Sequence, residues 1–329
     1  MFEGATALDV IVAGEIYTDL ILSGFDFWPQ PGQEAFAKSF HREVGGGAAN
    51  TACGLAKLGS RAALLGVVGA DGGWLIERLE QNGVAVSEIR RDATEPTAFT
   101  VAVSTPEDRS FLTYAGANRG FPAALAEAAV NQRLAGAGHV HLAFAPDLET
   151  ATELFAAIHR NGCTLSLDVG WHEGWLRDSR LRDSRLRDAR LRDTRPQPIL
   201  PLLDFFFPNE TEGRCMTGET DPEQMLRWFR DAGLRRVALK LGARGAALLW
   251  DGKVQFAEGI PVAPIDTTGA GDCFNAGFLH SWLKGDPPEL CLRTANICGA
   301  LSTEAYGGVA GMPDAARLAE LLKGSSCET

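Results

Sequence analysis

Apolar residues along the chain fall into two rhythms. Short, nearly continuous apolar runs recur as "DVIVAGE" (9–15), "AALLGVVG" (62–69), "HVHLAF" (139–144), "TLSLDVG" (164–170), "DFFFPN" (204–209) and "RVALKLG" (236–242). Their length and composition predict buried strands. Between them, residues 48–59 and 74–83 carry small and apolar side chains at helical spacing, and residues 148–161 and 222–233 repeat the pattern. Gly59 and Gly83 stop the first two helices. Strands apolar on both faces, alternating with helices, predict a doubly wound α/β fold: a mostly parallel sheet with helices on both faces. Two segments depart from this rhythm. "QEAFAKSFHREVGG" (33–46) and "TAFTVAVSTPEDRSFLTYAG" (97–116) alternate at period two, the second with a turn at Pro106-Glu107-Asp108. They predict a small antiparallel β-lid projecting from the main sheet.

A second departure is "LRDSRLRDSRLRDARLRDTR", four five-residue units over 176–195. Five residues carry a helix about 140° past a full turn, so the leucines cannot line one face. Asp178–Arg182, Asp183–Arg187 and Asp188–Arg192 are i,i+4 pairs that would support an exposed helix weakly. Residues 177–195 hold eight arginines and four aspartates, a local charge of +4 in a chain of net charge −11. An anion-docking surface is one reading; a solvated, tandem-duplicated insertion stopped by Pro196 is the favoured one.

Composition narrows the class. At 329 residues and 45% hydrophobic, the chain can bury a large core. No apolar run approaches the ~20 residues of a membrane span, and "MFEGATALDVIVAGE" lacks the basic start of a signal peptide. Seven scattered cysteines without a CxxC pair predict reduced thiols and a cytoplasmic location. The acidic balance argues against a general nucleic-acid binder.

The chemistry concentrates in "DTTGAGDCFNAGF", Asp266 to Phe278. An extended "IPVAPI" leads in and a helical pattern follows, so Gly269, Ala270 and Gly271 sit where a helix begins, with unpaired N–H groups. Glycine lets those amides approach an anion closely and the helix dipole adds positive potential. Asp272 could cap the helix itself, or take a proton from a hydroxyl that attacks a phosphoryl group held on those amides. Competing phosphate motifs are missing: there is no GxxxxGK[ST], no GxGxxG after the first strand, and no HRD or DFG set. His139 and His141 alternate on one strand, a pattern more often structural than metal-binding.

Taken together, "GGGAANTACGLAKLG" (45–59) and "DTTGAGDCFNAGFL" (266–279) resemble the two signatures of the ribokinase-like (phosphofructokinase-B type) carbohydrate kinase family. "GEIYTDLIL" (14–22) resembles the family's first strand, "PGQE" (31–34) and "GAN" (116–118) its lid boundaries, "PNETE" (208–212) its Asn-x-x-Glu element, and "KLGARGAAL" (240–248) its nucleotide-side turn. The resemblance runs over roughly 8–322 and implies one kinase domain spanning the chain. It implies phosphoryl transfer from ATP to a sugar-like hydroxyl, with Asp272 as base and Gly269, Ala270 and Gly271 as the anion hole. Asp19, Gly46, Gly47 and Asn50 match sugar-holding positions. Asn209, Lys240, Gly242, Gly245, Thr268 and Asn296 match the nucleotide side. Glu212 matches an organiser of Mg²⁺ through water, and Asp266 with the backbone near Gly307 a monovalent-cation (K⁺) loop. Paired lid edges would hide exposed strands, so a homodimer through the lid is expected.

Departures from the family pattern bear on the acceptor. Gly47-Ala48 replaces the lysine of ribokinases proper, and Lys240 stands where many members carry threonine; a lysine there resembles members acting on keto-deoxy sugar acids and some fructokinases. "AFAPD" (143–147) keeps only Asp147 as a polar residue near the sugar position. Ribose is therefore a doubtful acceptor; a nucleoside kinase, a sugar-phosphate kinase and a non-catalytic sugar or nucleotide sensor on the same fold stay open beside the sugar kinase.

Overall fold

The structure is a computed structural model that describes residues 8–28, 31–104, 109–170, His172, Trp175, Leu176 and 199–324. The turn expected at 106–108 and the repeats beyond Leu176 lie outside the described residues. Nine strands form the main sheet, in the order β13 (Lys253–Ala257), β12 (Ala246–Trp250), β11 (Arg236–Lys240), β10 (Phe205–Phe206), β9 (Thr164–Leu167), β8 (Ala137–Ala143), β1 (Leu8–Gly14), β4 (Ala62–Gly69) and β5 (Ile89–Asp92). From β11 to β5 every pairing is parallel; β12 and β13 add antiparallel at one edge.

Alternation along single strands divides the core into two. Val10 and Val12 of β1 pack into one apolar layer, and Ile11 and Ala13 into the other. All eight residues of β4 are buried, which is why its sequence reads as an unbroken apolar run. The helices Phe121–Val130, Leu148–Arg160 and Pro222–Asp231 cover one face through Phe121, Phe155 and Phe229. Gly47–Lys57, Gly73–Gln81, Ala270–Leu283 and Pro288–Ser302 cover the other through Leu55, Leu79, Phe278 and Leu292. His139 and His141 are fully buried and hydrogen-bonded to Thr164 and Ser166, a structural use of the HxH pattern. Burial holds both below the usual histidine range, His141 at about 4, so both are neutral at physiological pH.

The expected strand over 204–209 shrinks to Phe205–Phe206, because Pro208 lacks a ladder donor and Asn209 already caps the next helix. The lid is also larger than the alternation predicts. Its order is β3 (Ser39–Gly45), β2 (Tyr17–Ser23), β6 (Phe99–Ser104) and β7 (Arg109–Tyr114). The outer pairings, β3 with β2 and β6 with β7, are antiparallel, while β2 and β6 meet in parallel at the centre. Thus "YTDLIL" belongs to the lid and not to the first core strand, which ends at Gly14. Asn118 pins the junction: its side chain accepts from the Ile16 N–H (3.2 Å) and donates to the Ile16 carbonyl (3.0 Å). No helix among the described residues is long and apolar enough to cross a membrane.

Phe205 sits at the middle of an aromatic cluster, with ring centroids 4.7 Å from Trp282 and 5.7 Å from Phe278. Phe205→Ala should lower the unfolding free energy by about 3–5 kcal/mol in a urea titration followed by circular dichroism.

Candidate active site

Two helices begin at one point above the carboxyl ends of the parallel strands. Gly46 (φ +96°) precedes the helix Gly47–Lys57, and Gly269 (φ +74°) precedes Ala270–Leu283. Neither cap carries a side-chain hydrogen bond, and of the first-turn amides that of Ala270 donates to the Thr267 carbonyl at 3.3 Å. The helices approach because their contact is small: a side chain at Gly54 would stand 2.8 Å from Ala276 Cβ. One at Gly269 would stand 3.0 Å from Asn50 Nδ2.

Asp272 lies in the first turn of the second helix, partly open to solvent. Asn50 Nδ2 donates to its Oδ2 at 2.9 Å, and its Oδ1 lies 3.1 Å from where a Gly47 side chain would begin. Burial, followed by the charge of Asp168, raises its carboxyl to about 6, while the Asn50 bond and Lys240 pull the other way. The Lys240 ammonium stands 3.4 Å from the position of a Gly271 Cβ. Lys240 is held there by Asp168, whose Oδ2 accepts from Lys240 Nζ at 2.6 Å and from Asn275 Nδ2 at 2.6 Å. Burial acts to lower the Lys240 pKa, but the carboxylates of Asp168, Glu212 and Asp272 outweigh it and hold the group above its ordinary value. Burial likewise pushes Asp168 up, and the Lys240 charge and hydrogen bonds bring it below the usual carboxylate range.

Asp168 and Asn275 were not singled out from the sequence. One signal could have found Asp168: an aspartate ending a buried strand at the carboxyl edge of an open α/β sheet, where ligands bind. Nothing local marks Asn275, which becomes visible only through its 107-residue reach to Asp168.

Asn209 and Glu212 form a capping box on the helix Glu210–Thr217. The Asn209 side chain accepts from Glu212 N at 2.9 Å, and Asn209 N donates to Glu212 Oε2 at 2.8 Å. The pair is structural as well as close to the site, since the Glu212 charge acts on Lys240. Asp19 reaches in from the lid, and a side chain at Gly45 would collide with its carboxylate. Burial, then the Asp266 and Glu43 charges, raises Asp19 to about 6. Asp266 is buried and ties its loop, accepting from Thr268 N (2.9 Å) and Gly307 N (3.1 Å).

Among the described residues a small cavity of about 140 Å³ lies beside Asn50, Glu43 and Gly307, and two larger ones flank this centre. One, of about 430 Å³, is lined by Lys240, Gly242, Gly245, Gly271, Asn296 and Thr303 among others. Gly245 (φ +96°) packs against the backbone of Ala257–Gly259, where no side chain would fit. Asn296 Nδ2 donates to the carbonyls of Ala257 (3.3 Å) and Glu258 (3.1 Å), fixing that wall. The second, of about 390 Å³, is lined by Glu15, Ala143, Ala145, Val169, Gly170 and His172 among others. Ala143 joins it to the centre, lying 3.7 Å from the position of a Gly47 Cβ.

A doubly wound sheet with paired helix N-termini, a carboxylate beside them and a β-lid overhead defines a ribokinase-like sugar kinase. The chain belongs to the pfkB family of carbohydrate kinases, whose profile matches residues 7–315. It is 31% identical to a 2-dehydro-3-deoxygluconokinase of Bacillus subtilis, covering 86% of this chain and 88% of the relative. It is 32% identical to an ATP-dependent ribose-1-phosphate kinase of Halopiger xanaduensis, over 95% and 97% of the two chains. Among solved structures, the ribokinase of Arabidopsis thaliana complexed with ribose and ATP superposes with a TM-score of 0.78 at 28% identity, covering 96% of this chain and 99% of that one.

Asn50→Ala removes the bond that lowers Asp272. The Asp272 carboxyl should then titrate above about 6, a rise readable by carboxyl-carbon NMR of the variant against wild type.

Proposed function

We propose that this chain is one ribokinase-like kinase domain over 1–329 that moves the γ-phosphoryl group of ATP to a hydroxyl of a sugar-like acceptor. The observation that carries this reading is Asp272: a carboxylate at about 6, hydrogen-bonded to Asn50, standing between a glycine-lined amide cradle and a buried lysine. A base must be unprotonated at working pH yet basic enough to accept a proton, and a value near 6 serves both needs.

In this reading Asp272 takes the hydroxyl proton as the new O–P bond forms. The amides of Gly269, Ala270 and Gly271 and the Lys240 ammonium hold the charge on the transferring group. Asp19, Gly46, Gly47 and Asn50 orient the acceptor. Asn209, Gly242, Gly245, Thr268 and Asn296 form the nucleotide side. Lid closure would exclude water as a competing acceptor. No group of three acidic, histidine or cysteine ligands able to hold a metal occurs among the described residues. Glu212, already bonded to Asn209 N, suits contact with Mg²⁺ through water. Mg²⁺, when bound, would neutralise phosphate charge. A monovalent cation such as K⁺ would draw on backbone carbonyls of the loop that Asp266 ties to Gly307.

Asp272→Asn should reduce turnover by about 10⁴-fold or more while ATP binding by calorimetry stays near wild type. In the wild type, kcat/KM should fall as pH drops through about 6, because the raised carboxyl of Asp272 is then protonated. Retained turnover in the variant would remove Asp272 from the role.

For assembly, the lid offers one face. Leu20, Leu22, Phe40, Val101 and Leu112 share the side of the lid opposite Asp19, and Phe40 and Leu112 are 58% and 60% exposed. We propose that a second copy covers this face in a homodimer. Light scattering should then give a dimer for the wild type and a monomer for Leu112→Glu; a wild-type monomer at micromolar concentration would exclude the arrangement.

A further inference from the structure

Lys240 stands between two carboxylates with different tasks. Its ammonium is bonded to Asp168 at 2.6 Å and lies 3.4 Å from the position of a Gly271 Cβ, one residue before Asp272. A lysine is a compact charge on a flexible four-carbon stem, so its own backbone does not fix where that charge rests. The side chain lines the cavity of about 430 Å³, which leaves it room to swing. Glu212 and Asp272 draw the charge as well as Asp168 does. An ammonium bonded to Asp272 would occupy the carboxylate that must accept a proton and weaken it as a base.

Asp168 is placed to hold the ammonium away from that position. It follows β9, and its N–H donates to the Leu142 carbonyl of β8 at 2.9 Å. Two residues earlier, Ser166 Oγ bonds both His139 Nε2 and His141 Nδ1 at 2.7 Å, which clamps β9 to β8. The Asp168 carboxylate accepts from the Gly170 N–H at 3.1 Å and from Asn275 Nδ2 at 2.6 Å. Asn275 lies one turn after Asp272 on the same helix, so the counter-ion of Lys240 and the base are set from one element. His141, which also faces Asp168, is neutral at physiological pH, so the ammonium is the charge that Asp168 answers. Around Asp272 stand Asp168, Lys240 from the end of β11 and Asn50 from the helix Gly47–Lys57. The adjoining Cys273 thiol is pushed far up by burial and stays neutral.

We propose that Asp168 is a positioning residue for phosphoryl transfer: it keeps the Lys240 ammonium beside the turn at Gly271, where the transferring group is held, and off the base Asp272. This rests on the kinase reading of the same site. The lysine aids transfer only while its charge lies near the phosphoryl oxygens and the base stays unpaired with it. Asp168 meets both conditions by taking one of the three N–H donors and fixing the direction of the stem. Without Asp168, the ammonium would move to the carboxylates that remain, Glu212 and Asp272.

The test uses the full-length protein as wild type, Asp168→Asn, Lys240→Met and the double variant. The double variant carries no uncompensated buried charge, so it decides the matter where Asp168→Asn alone fails to fold. Asp272 is titrated by carboxyl-carbon NMR. Values of kcat and KM for Mg²⁺-ATP are measured with whichever of D-ribose, D-fructose and 2-dehydro-3-deoxygluconate releases ADP fastest. In Asp168→Asn, kcat should fall about 100-fold with KM for ATP changed less. The Asp272 carboxyl should titrate below its wild-type value there, and the acid limb of kcat/KM should move down with it. In Lys240→Met the carboxyl should titrate higher, since the charge that lowers it is gone. Removing Asp168 should lower Asp272 more with Lys240 present than in the Lys240→Met background, where no ammonium can fall onto the base. In that background it should cost kcat less than about threefold, because Asp168 acts through the lysine. Wild-type kcat or an unmoved Asp272 in a folded Asp168→Asn would overturn the proposal. So would an equal drop of Asp272 in both backgrounds, or a second large loss of kcat from Lys240→Met to the double variant. If the wild type turns over no acceptor, the kinase reading falls, and the titrations alone uphold or overturn the placement of Lys240 by Asp168.

Discussion

The ion pair between Lys240 and Asp168 is nearly out of water, with the two side chains 12% and 10% exposed. A charge at such depth is costly unless it is paired and its remaining hydrogen-bonding capacity is met. Asn275 and the Gly170 N–H supply what the carboxylate still needs. Three elements must therefore meet at one point: the end of β9, the end of β11 and the helix Ala270–Leu283. Such a pair adds little net stability compared with well-packed apolar residues. Its effect here is positional, because it keeps an ammonium against Gly271 and a second carboxylate close enough to raise Asp272.

The same economy of space governs the helix N-termini. Gly46, Gly47, Gly269 and Gly308 crowd around Asn50, Glu15 and Asp272 so closely that side chains at several of them would overlap neighbouring atoms. Bare backbone there makes room for that crowding, and positive φ at Gly46 and Gly269 turns the chain into each helix. The lid adds the remaining wall. Its strand β2 continues from the core strand β1 after two residues, so Asp19 is carried by an element anchored at Ile16 through Asn118. Contacts such as His41 on Tyr306 tie the lid to the loop that Asp266 organises.

Much of the architecture was legible along the chain, for local reasons. Short, nearly continuous apolar runs mark strands that feed both cores, as Val10 and Ile11 do on opposite faces of β1. Glycine marks helix ends, and the Asn-x-x-Glu spacing marks a capping box, because caps act within one turn. The run Gly269-Ala270-Gly271-Asp272 announces a helix start, and a helix begins at Ala270.

Tertiary structure decided what lies between distant segments. Tyr17–Ser23 looks like a continuation of the first core strand, but the break at Glu15 and Ile16 hands it to the lid, where it pairs with β3 and β6. Asp168 is marked only by its place at the end of a buried strand and Asn275 by nothing local, since their partners lie 72 and 107 residues away. Local periodicity specifies which face of an element is buried. It does not specify which elements become neighbours, because strand order is set by long-range pairing across the whole sheet. The helix start at Gly269 to Asp272 was therefore written in one short stretch, whereas the charges around it meet only once β2, β9 and β11 have come together.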